Sequence, residues 1–281
     1  MSASGVAAAP NRSAAPNRSA ARDRVTQLRV IRSEWTKLRS LRSTVFSLLA
    51  AVVFIVGLAA LVPSAVVSHW PPRDPAEVAT FDPTMRSLAG VFLAQLAIGV
   101  LGVLLMTGEY ATGSIRATFA AVPARLPVLW AKTFVFALVT LALSVPSVLG
   151  AFFLGQSILS AKHLETSFSE PGVARAVLGA ALYLTVAGLL GLGLGALLRN
   201  TAAAISSLFG LLFVVPIIVR FLPSSWADPV TKYLPSSAGQ AIMHVRPDPS
   251  ALSPWVGLAV FCAYTALALG SAAVGLRRRD A

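Results

Sequence analysis

Six long apolar runs, each free of Asp, Glu, Lys, Arg and His, limit what this chain can fold into. A helix needs about 20 apolar residues to cross the roughly 30 Å hydrocarbon core of a bilayer, and each run is about that long. A transmembrane β-barrel would instead alternate apolar and polar residues along every strand, and these runs do not alternate. The sequence therefore predicts an all-α integral membrane protein with six transmembrane helices. The predicted spans are residues 45–67, 88–106, 133–155, 176–198, 201–219 and 255–276.

The composition and the placement of charge agree with this fold class. Of the 281 residues, 56% are apolar and 12% are charged, and a soluble domain has about 25% charged residues. Sixteen of the 23 basic residues fall on the side of the membrane that holds both termini, and the seven on the other side are matched by seven acidic residues. By the positive-inside rule, this asymmetry predicts a multi-pass plasma-membrane protein with both termini cytoplasmic. The net charge of +12 then faces anionic lipid and a cytoplasmic partner, and no nucleic-acid partner is expected.

The first 44 residues precede the first span and divide into two parts. Residues 1–22 contain a tandem Ala-Ala-Pro-Asn-Arg-Ser repeat, which is too polar to bury a core and is predicted to be disordered. Residues 23–44 are predicted to form a basic amphipathic helix in the cytoplasmic membrane interface, because apolar residues recur at helical spacing between Arg and Lys. The alternative is that these cations only orient membrane insertion. The apolar positions are Leu28, Ile31, Trp35 and Leu38.

The connection between the second and third predicted spans, residues 107–132, carries the most specific pattern in the chain. It reads Gly-Glu-Tyr-Ala-Thr-Gly-Ser-Ile-Arg-Ala-Thr from Gly108 to Thr118, and a Pro-Ala-Arg turn and Lys132 follow. This pattern resembles the coupling-helix region of ABC type-2 permeases, which are the membrane subunits of ABC exporters.

Three other segments share this resemblance, which covers nearly the whole chain beyond residue 24. They are Ser-Glu-Trp-Thr-Lys-Leu-Arg-Ser at 33–40, Tyr-Leu-Pro-Ser-Ser-Ala-Gly at 233–239 and the Arg-Arg-Arg-Asp ending, in the predicted cytoplasmic tail 277–281. All three are similar to permeases common in high-GC Gram-positive bacteria.

The resemblance implies that a separate ABC ATP-binding subunit docks on the cytoplasmic side. A short rigid helix after the second span suits insertion into a cleft on that subunit, whose closure would tilt the second and third spans. An ordinary inter-helix loop is the alternative, although such loops need only about 2–8 residues. We expect Glu109 and Arg116 to form an ion pair, and Glu34 to pair with a basic group of a partner. The predicted coupling residues are Glu34, Trp35, Lys37, Glu109, Tyr110, Thr112, Gly113, Ile115, Arg116, Thr118 and Arg125.

Several chemical motifs are missing from the sequence. No Gly-x-x-x-x-Gly-Lys-Ser/Thr phosphate loop occurs, so ATP and Mg²⁺ are expected on the partner subunit and no cofactor on this chain. The spans offer no nucleophile with a base and no carboxylate pair, so no enzymatic activity is expected. They also lack the ionisable groups that proton-coupled transporters use. Three scattered histidines and a single cysteine in an apolar run predict no metal site.

Small and polar residues inside the spans give two further predictions. Ala187, Gly191 and Gly195 recur every four residues, which predicts close packing against another helix of this chain or against a second permease. The polar residues able to line a pathway are few and uncharged, which suits a hydrophobic or amphipathic substrate. They are Gln95, Ser144, Ser147, Thr185, Ser206 and Ser207.

The predicted function follows from the six-span plan. A complete ABC transporter needs about twelve spans, so this chain would be one permease subunit that pairs with a second copy or a related permease. The alternative is a membrane anchor or scaffold that recruits a cytoplasmic partner without transport. On the outer side, residues 222–254 are predicted either to re-enter the membrane as a cap or to form a surface loop.

Overall fold

The structure, a computed structural model, describes residues 27–40, 42–72, 74–115, 125–246 and 250–278. These residues form helices and turns and contain no strand. The predicted disordered tail 1–22 lies outside the described residues. In chain order the helices are α1 (Gln27–Ser40), α2 (Arg42–Ser68), α3 (Pro75–Ala79), α4 (Pro83–Ser87), α5 (Val91–Ala111), α6 (Arg125–Leu159), α7 (Val173–Leu198), α8 (Thr201–Phe209), α9 (Val215–Val219), α10 (Ser224–Thr231), α11 (Pro235–Gln240) and α12 (Pro254–Arg278).

Six stretches of helix in the described chain are long and apolar enough to cross a membrane, which confirms the predicted number of spans. They are α2, α5, α6, α7, α12 and the pair α8–α9, which a π-helical turn at Gly210–Val214 joins into one rod. The protein is therefore an α-helical, multi-pass membrane protein. We call the end of the bundle where α1 lies the α1 end, and the end where α3, α4, α10 and α11 lie the opposite end.

Helices α5 and α6 extend furthest past the predicted spans at the α1 end. Helix α5 continues to Ala111, five residues beyond the predicted boundary, and α6 begins at Arg125, eight residues before it. The predictions ended each span near its first charged residue. In the structure the charged residues Glu109 and Lys132 lie inside these helices and are paired with each other, as described below. The connection outside the helices is correspondingly shorter.

Helices α5 and α7 form the centre of the bundle. In the most apolar stretch of each, 61% and 72% of the residues are buried, compared with 17% in α2 and 22% in α8–α9. Since lipid tails are as apolar as the helices themselves, close packing of backbones holds such helices together. The peripheral helices therefore keep broad apolar faces exposed for lipid or for another protein chain.

Small residues bring α5 and α7 into backbone contact. A Cβ atom on Gly191 would overlap the carbonyl oxygen of Gly99, and one on Gly195 would lie 2.8 Å from the carbonyl oxygen of Val103. Ala187 is fully buried on the same helix. Of the two alternatives for this small-residue face, the structure places it against a helix of the same chain.

At the opposite end, the segment that follows α10 turns back into the bundle. Ala238 and Ile242 are fully buried, and the Arg175 guanidinium on α7 donates hydrogen bonds to the carbonyl oxygens of Ile242 at 3.0 Å and His244 at 2.9 Å. Residues 235–243 are therefore part of the helical bundle and not a surface loop.

Candidate functional site

Four charged side chains from three helices meet at the α1 end. The Lys132 Nζ atom on α6 lies 2.6 Å from Glu34 Oε2 on α1 and 3.0 Å from Glu109 Oε1 on α5. The Lys37 Nζ atom, also on α1, lies 2.9 Å from Glu34 Oε1 and 3.0 Å from Glu109 Oε1. Acids and bases alternate around this closed ring of four ion pairs. We call these four residues the charge cluster.

The charge cluster is largely removed from solvent. The side chains of Glu34, Lys132 and Glu109 are 3%, 5% and 12% exposed, whereas that of Lys37 is 40% exposed. Burying an isolated charge is strongly unfavourable, and pairing with hydrogen bonds offsets that cost. Because two acids meet two bases, the cluster is formally neutral and can remain buried.

The sequence of α1 explains why Glu34 points inward. Val30, Glu34 and Leu38 are the buried residues of this helix, and their four-residue spacing places them on one helical face. Glu34 is thus the polar member of an otherwise apolar buried stripe. Trp35, on another face, keeps 40% of its surface exposed.

The pKa of Lys37 shows how the ring balances burial against charge. Burial by itself lowers the pKa of this ammonium group, but hydrogen bonds and the negative charges of Glu34 and Glu109 outweigh it and raise the pKa above its ordinary value. Lys37 therefore stays protonated throughout the physiological pH range.

A cavity of about 440 Å³ opens beside the charge cluster. Its wall includes Ser43 at the start of α2 and, near the end of α5, Leu104, Leu105, Gly108 and Glu109. The second carboxylate oxygen of Glu109, Oε2, is buried and accepts no hydrogen bond from the described residues. One acceptor position of the cluster is therefore unused, on a residue that also lines the cavity.

The chain leaves α5 through a short turn that begins beside the cluster. The Thr112 hydroxyl donates to the Gly108 carbonyl oxygen at 2.9 Å, and Gly113 follows with φ +70° in open space. That backbone conformation favours glycine. Ile115 is 3% exposed, so the turn carries one apolar side chain back into the bundle.

A second contact at this end joins the end of α5 to the ends of two further helices, α7 and α12. The Arg199 guanidinium, after α7, lies over the Tyr110 ring of α5 at 5.3 Å from its centroid. It also donates to the Gly275 carbonyl oxygen of α12 at 3.4 Å. The end of α5 is thus held by α1 and α6 through Glu109, and by α7 and α12 through Tyr110.

The structure brings only some of the predicted coupling residues together. Glu34, Lys37 and Glu109 come together, and Lys132, which was not among the predicted site residues, completes their ring. Glu34 was expected to pair with a partner, but it is buried and its cations belong to its own chain. Arg116, Thr118 and the side chain of Arg125 lie outside the described residues. The expected pair of Arg116 with Glu109 therefore lies outside them as well.

The predicted pathway residues do not share one environment. Ser206 and Ser207 are exposed on α8, whereas the other four are buried in the bundle. Ser147 and Thr185 each donate to the carbonyl oxygen one turn earlier on their own helices, and Ser144 has no partner among the described residues.

Gln95 belongs to a buried network that the sequence did not predict. It accepts a hydrogen bond from the Tyr183 hydroxyl of α7, and the Gln240 amide of α11 donates to that hydroxyl at 3.4 Å. Tyr183 is fully buried. The network links α11 to the two central helices. Its two hydrogen bonds join residues that are 88 and 57 positions apart in the chain, so no local sequence pattern indicates them.

Comparison with models of known protein families gave no match, and comparison with curated proteins found no matching relative. Within the described part of the chain, no group of three or more His, Cys, Asp or Glu residues is arranged to hold a metal ion.

Proposed function

We propose that this chain is the membrane-spanning permease subunit of an ABC exporter, driven by a separate ATP-binding subunit. In this proposal the protein lies in the plasma membrane with both termini and the α1 end in the cytoplasm. Two permease subunits, identical or related, form the translocation pathway for a hydrophobic or amphipathic substrate. ATP and Mg²⁺ bind to the partner subunit, and no nucleic acid takes part.

The charge cluster is the observation that carries the proposal. A pushing force applied to the connection between α5 and α6 reaches Glu109 within one turn of helix and Lys132 two turns into α6. Their shared ion pairs, together with Glu34, join α5, α6 and α1, so the three would move as one unit. Moving one helix away from this buried ionic network would leave charges without their partners, which is energetically costly, so the ion pairs oppose displacement of one helix relative to the other two. The basic helix α1 would hold the unit at the lipid surface.

The proposal accounts for the position of the spare acceptor on Glu109. The cavity beside it faces the end of the bundle from which the connection emerges, where a protein partner would dock. A non-transporting anchor needs no mechanical link between its docking segment and two spans, and so it offers no reason for a buried four-membered ring.

ATP hydrolysis by the assembled complex tests the proposal. The chain would be co-expressed with each ATP-binding protein encoded beside its gene, purified as a complex and placed in liposomes. We expect hydrolysis well above that of the ATP-binding protein alone, and Glu109→Gln to lose most of this stimulation while membrane insertion and complex formation persist. Glu77→Gln, a matched change of an exposed acid at the opposite end, should retain it.

Two results would contradict the proposal. A chain that never associates with an ATP-binding protein would instead fit the anchor. Full stimulation in the Glu109→Gln complex would remove the charge cluster from the coupling mechanism.

A further inference from the structure

A second polar cavity lies at the opposite end, between α10, α11 and the start of α12. Its volume is about 580 Å³, which is within the usual range for small-molecule sites. Arg220, Lys232 and His244 line it together with one acid, Asp228. Among the described residues, no ion pair joins the two cations to that acid. Basic groups therefore outnumber acidic ones on the described part of its wall.

The position of this cavity along the chain places it at the membrane surface. Arg220 immediately follows Val219, the last residue of the fifth span, and Leu252, also in the wall, comes two residues before α12 begins at Pro254. Arg220 therefore lies directly beyond the hydrocarbon region, and the cavity that it lines is near the depth of lipid phosphates.

Three exposed aromatic residues are each next in sequence to a residue that lines the cavity. Phe221, Trp226 and Tyr233 are 84%, 70% and 49% exposed, and the Lys232 ammonium lies 5.3 Å from the centroid of the Tyr233 ring. Exposed Trp and Tyr are enriched at the level of lipid headgroups. A cationic recess with exposed aromatic residues at its edge matches an amphiphile with an anionic head and an apolar tail.

We propose that this cavity binds the phosphate headgroup of an anionic lipid in the leaflet at the opposite end. Arg220 and Lys232 contact the phosphate, and Phe221 and Trp226 pack along the first part of the acyl chains. Gln240 lies in the wall of the cavity and also donates to Tyr183, so the bound headgroup lies one hydrogen bond from the buried network. This inference does not depend on the transport function proposed above.

Binding of a short-chain phosphatidylglycerol to the full-length protein in detergent tests the proposal, with the corresponding phosphatidylcholine as the neutral comparison. We expect phosphatidylglycerol to bind more tightly, and the double variant Arg220→Gln/Lys232→Gln to bind it at least about tenfold more weakly, because it lacks both cations that attract the lipid phosphate. The matched control Arg86→Gln/Lys162→Gln removes two exposed basic residues at the same end and should leave binding unchanged. A size-exclusion profile identical to that of the unmodified protein verifies that each variant is folded.

Three outcomes would overturn the proposal. They are equal affinity for the two lipids, equal loss in the test and control variants, and full displacement of the lipid by an equimolar amount of inorganic phosphate. The last result would identify a site for a soluble anion instead of a lipid.

Discussion

The Lys132 ammonium on α6 lies 2.6 Å from the Glu34 carboxylate on α1, and both side chains are almost completely buried. Residues 98 positions apart in the chain are thus joined by a charged hydrogen bond. Such a pair is expensive to break because the remaining charge stays buried without compensation, at a cost of about 3–5 kcal/mol.

The first prediction concerns the difference between the two lysines of the charge cluster. Lys132→Met should lower the free energy of unfolding by about 3 kcal/mol or more, since it leaves two buried carboxylates, Glu34 and Glu109, with only the partly exposed Lys37 between them. Lys37→Met removes a lysine that is 40% exposed and should cost less than about 1 kcal/mol. Unfolding in detergent, followed by tryptophan fluorescence, measures both variants.

A double-mutant cycle shows whether the cost comes from the ion pair. Glu34→Gln combined with Lys132→Met should be clearly more stable than the sum of the two single changes implies, because the double variant leaves no buried charge of this pair unmatched. Strict additivity would mean that the two side chains do not interact.

The contact between α5 and α7 gives the second prediction. Gly191→Ala forces a methyl group against the Gly99 carbonyl oxygen, and we expect a loss of about 1–3 kcal/mol from overpacking. Gly57→Ala, on α2, places its methyl group in open space and should leave the thermal midpoint unchanged or slightly raised. Equal effects of the two variants would show that the helices do not approach closely at Gly191.

The third prediction concerns the anchoring of residues 235–243. Arg175→Met removes the donors to the carbonyl oxygens of Ile242 and His244, so this segment should detach and become sensitive to protease added at the opposite end. Lys162→Met, a change at an exposed position of the same end, provides the control. If the Arg175 variant resists digestion as well as the control does, burial alone holds the segment.

The orientation of the bundle gives the fourth prediction. In a Cys262→Ser background, single cysteines at Ser40 and Ser160 would stand at exposed positions on opposite ends. A membrane-impermeant thiol reagent added to intact cells should label the Ser160→Cys protein and leave the Ser40→Cys protein unlabelled. After the membrane is permeabilised, the reagent should label both proteins. Labelling of the Ser40→Cys protein in intact cells would reverse the proposed topology.

The spans were predictable because their signal is local. Each is an uninterrupted apolar run, and lipid forces such a run to satisfy its backbone hydrogen bonds as a helix. The charge cluster was only half predictable: Glu34 and Glu109 stood out as isolated acids near span ends, but the assignment of their partners depends on how α1, α5 and α6 pack. Lys132 belongs to the sequence pattern that resembles a coupling region, but nothing in that pattern indicates that it pairs with Glu34 and Glu109.

The Gln95–Tyr183–Gln240 network lay beyond what the sequence could indicate. Each of these side chains is unremarkable where it occurs, and nothing in local spacing relates Gln240, in a segment that could have been a surface loop, to the middle of α7. Gln240 reaches Tyr183 only because residues 235–243 fold back into the bundle. That fold depends on tertiary contacts such as those of Arg175.

Site-specific photo-crosslinking from Thr112 tests the central claim most directly. A photoreactive amino acid would replace Thr112, which is exposed where the chain leaves α5, and in a matched control it would replace Ser160 at the opposite end. After irradiation of intact cells, mass spectrometry would identify the attached proteins. The exporter proposal predicts that position 112, and not position 160, captures an ATP-binding protein with a phosphate-binding loop. Capture of no such protein from position 112, in cells where the chain is inserted normally, would contradict it.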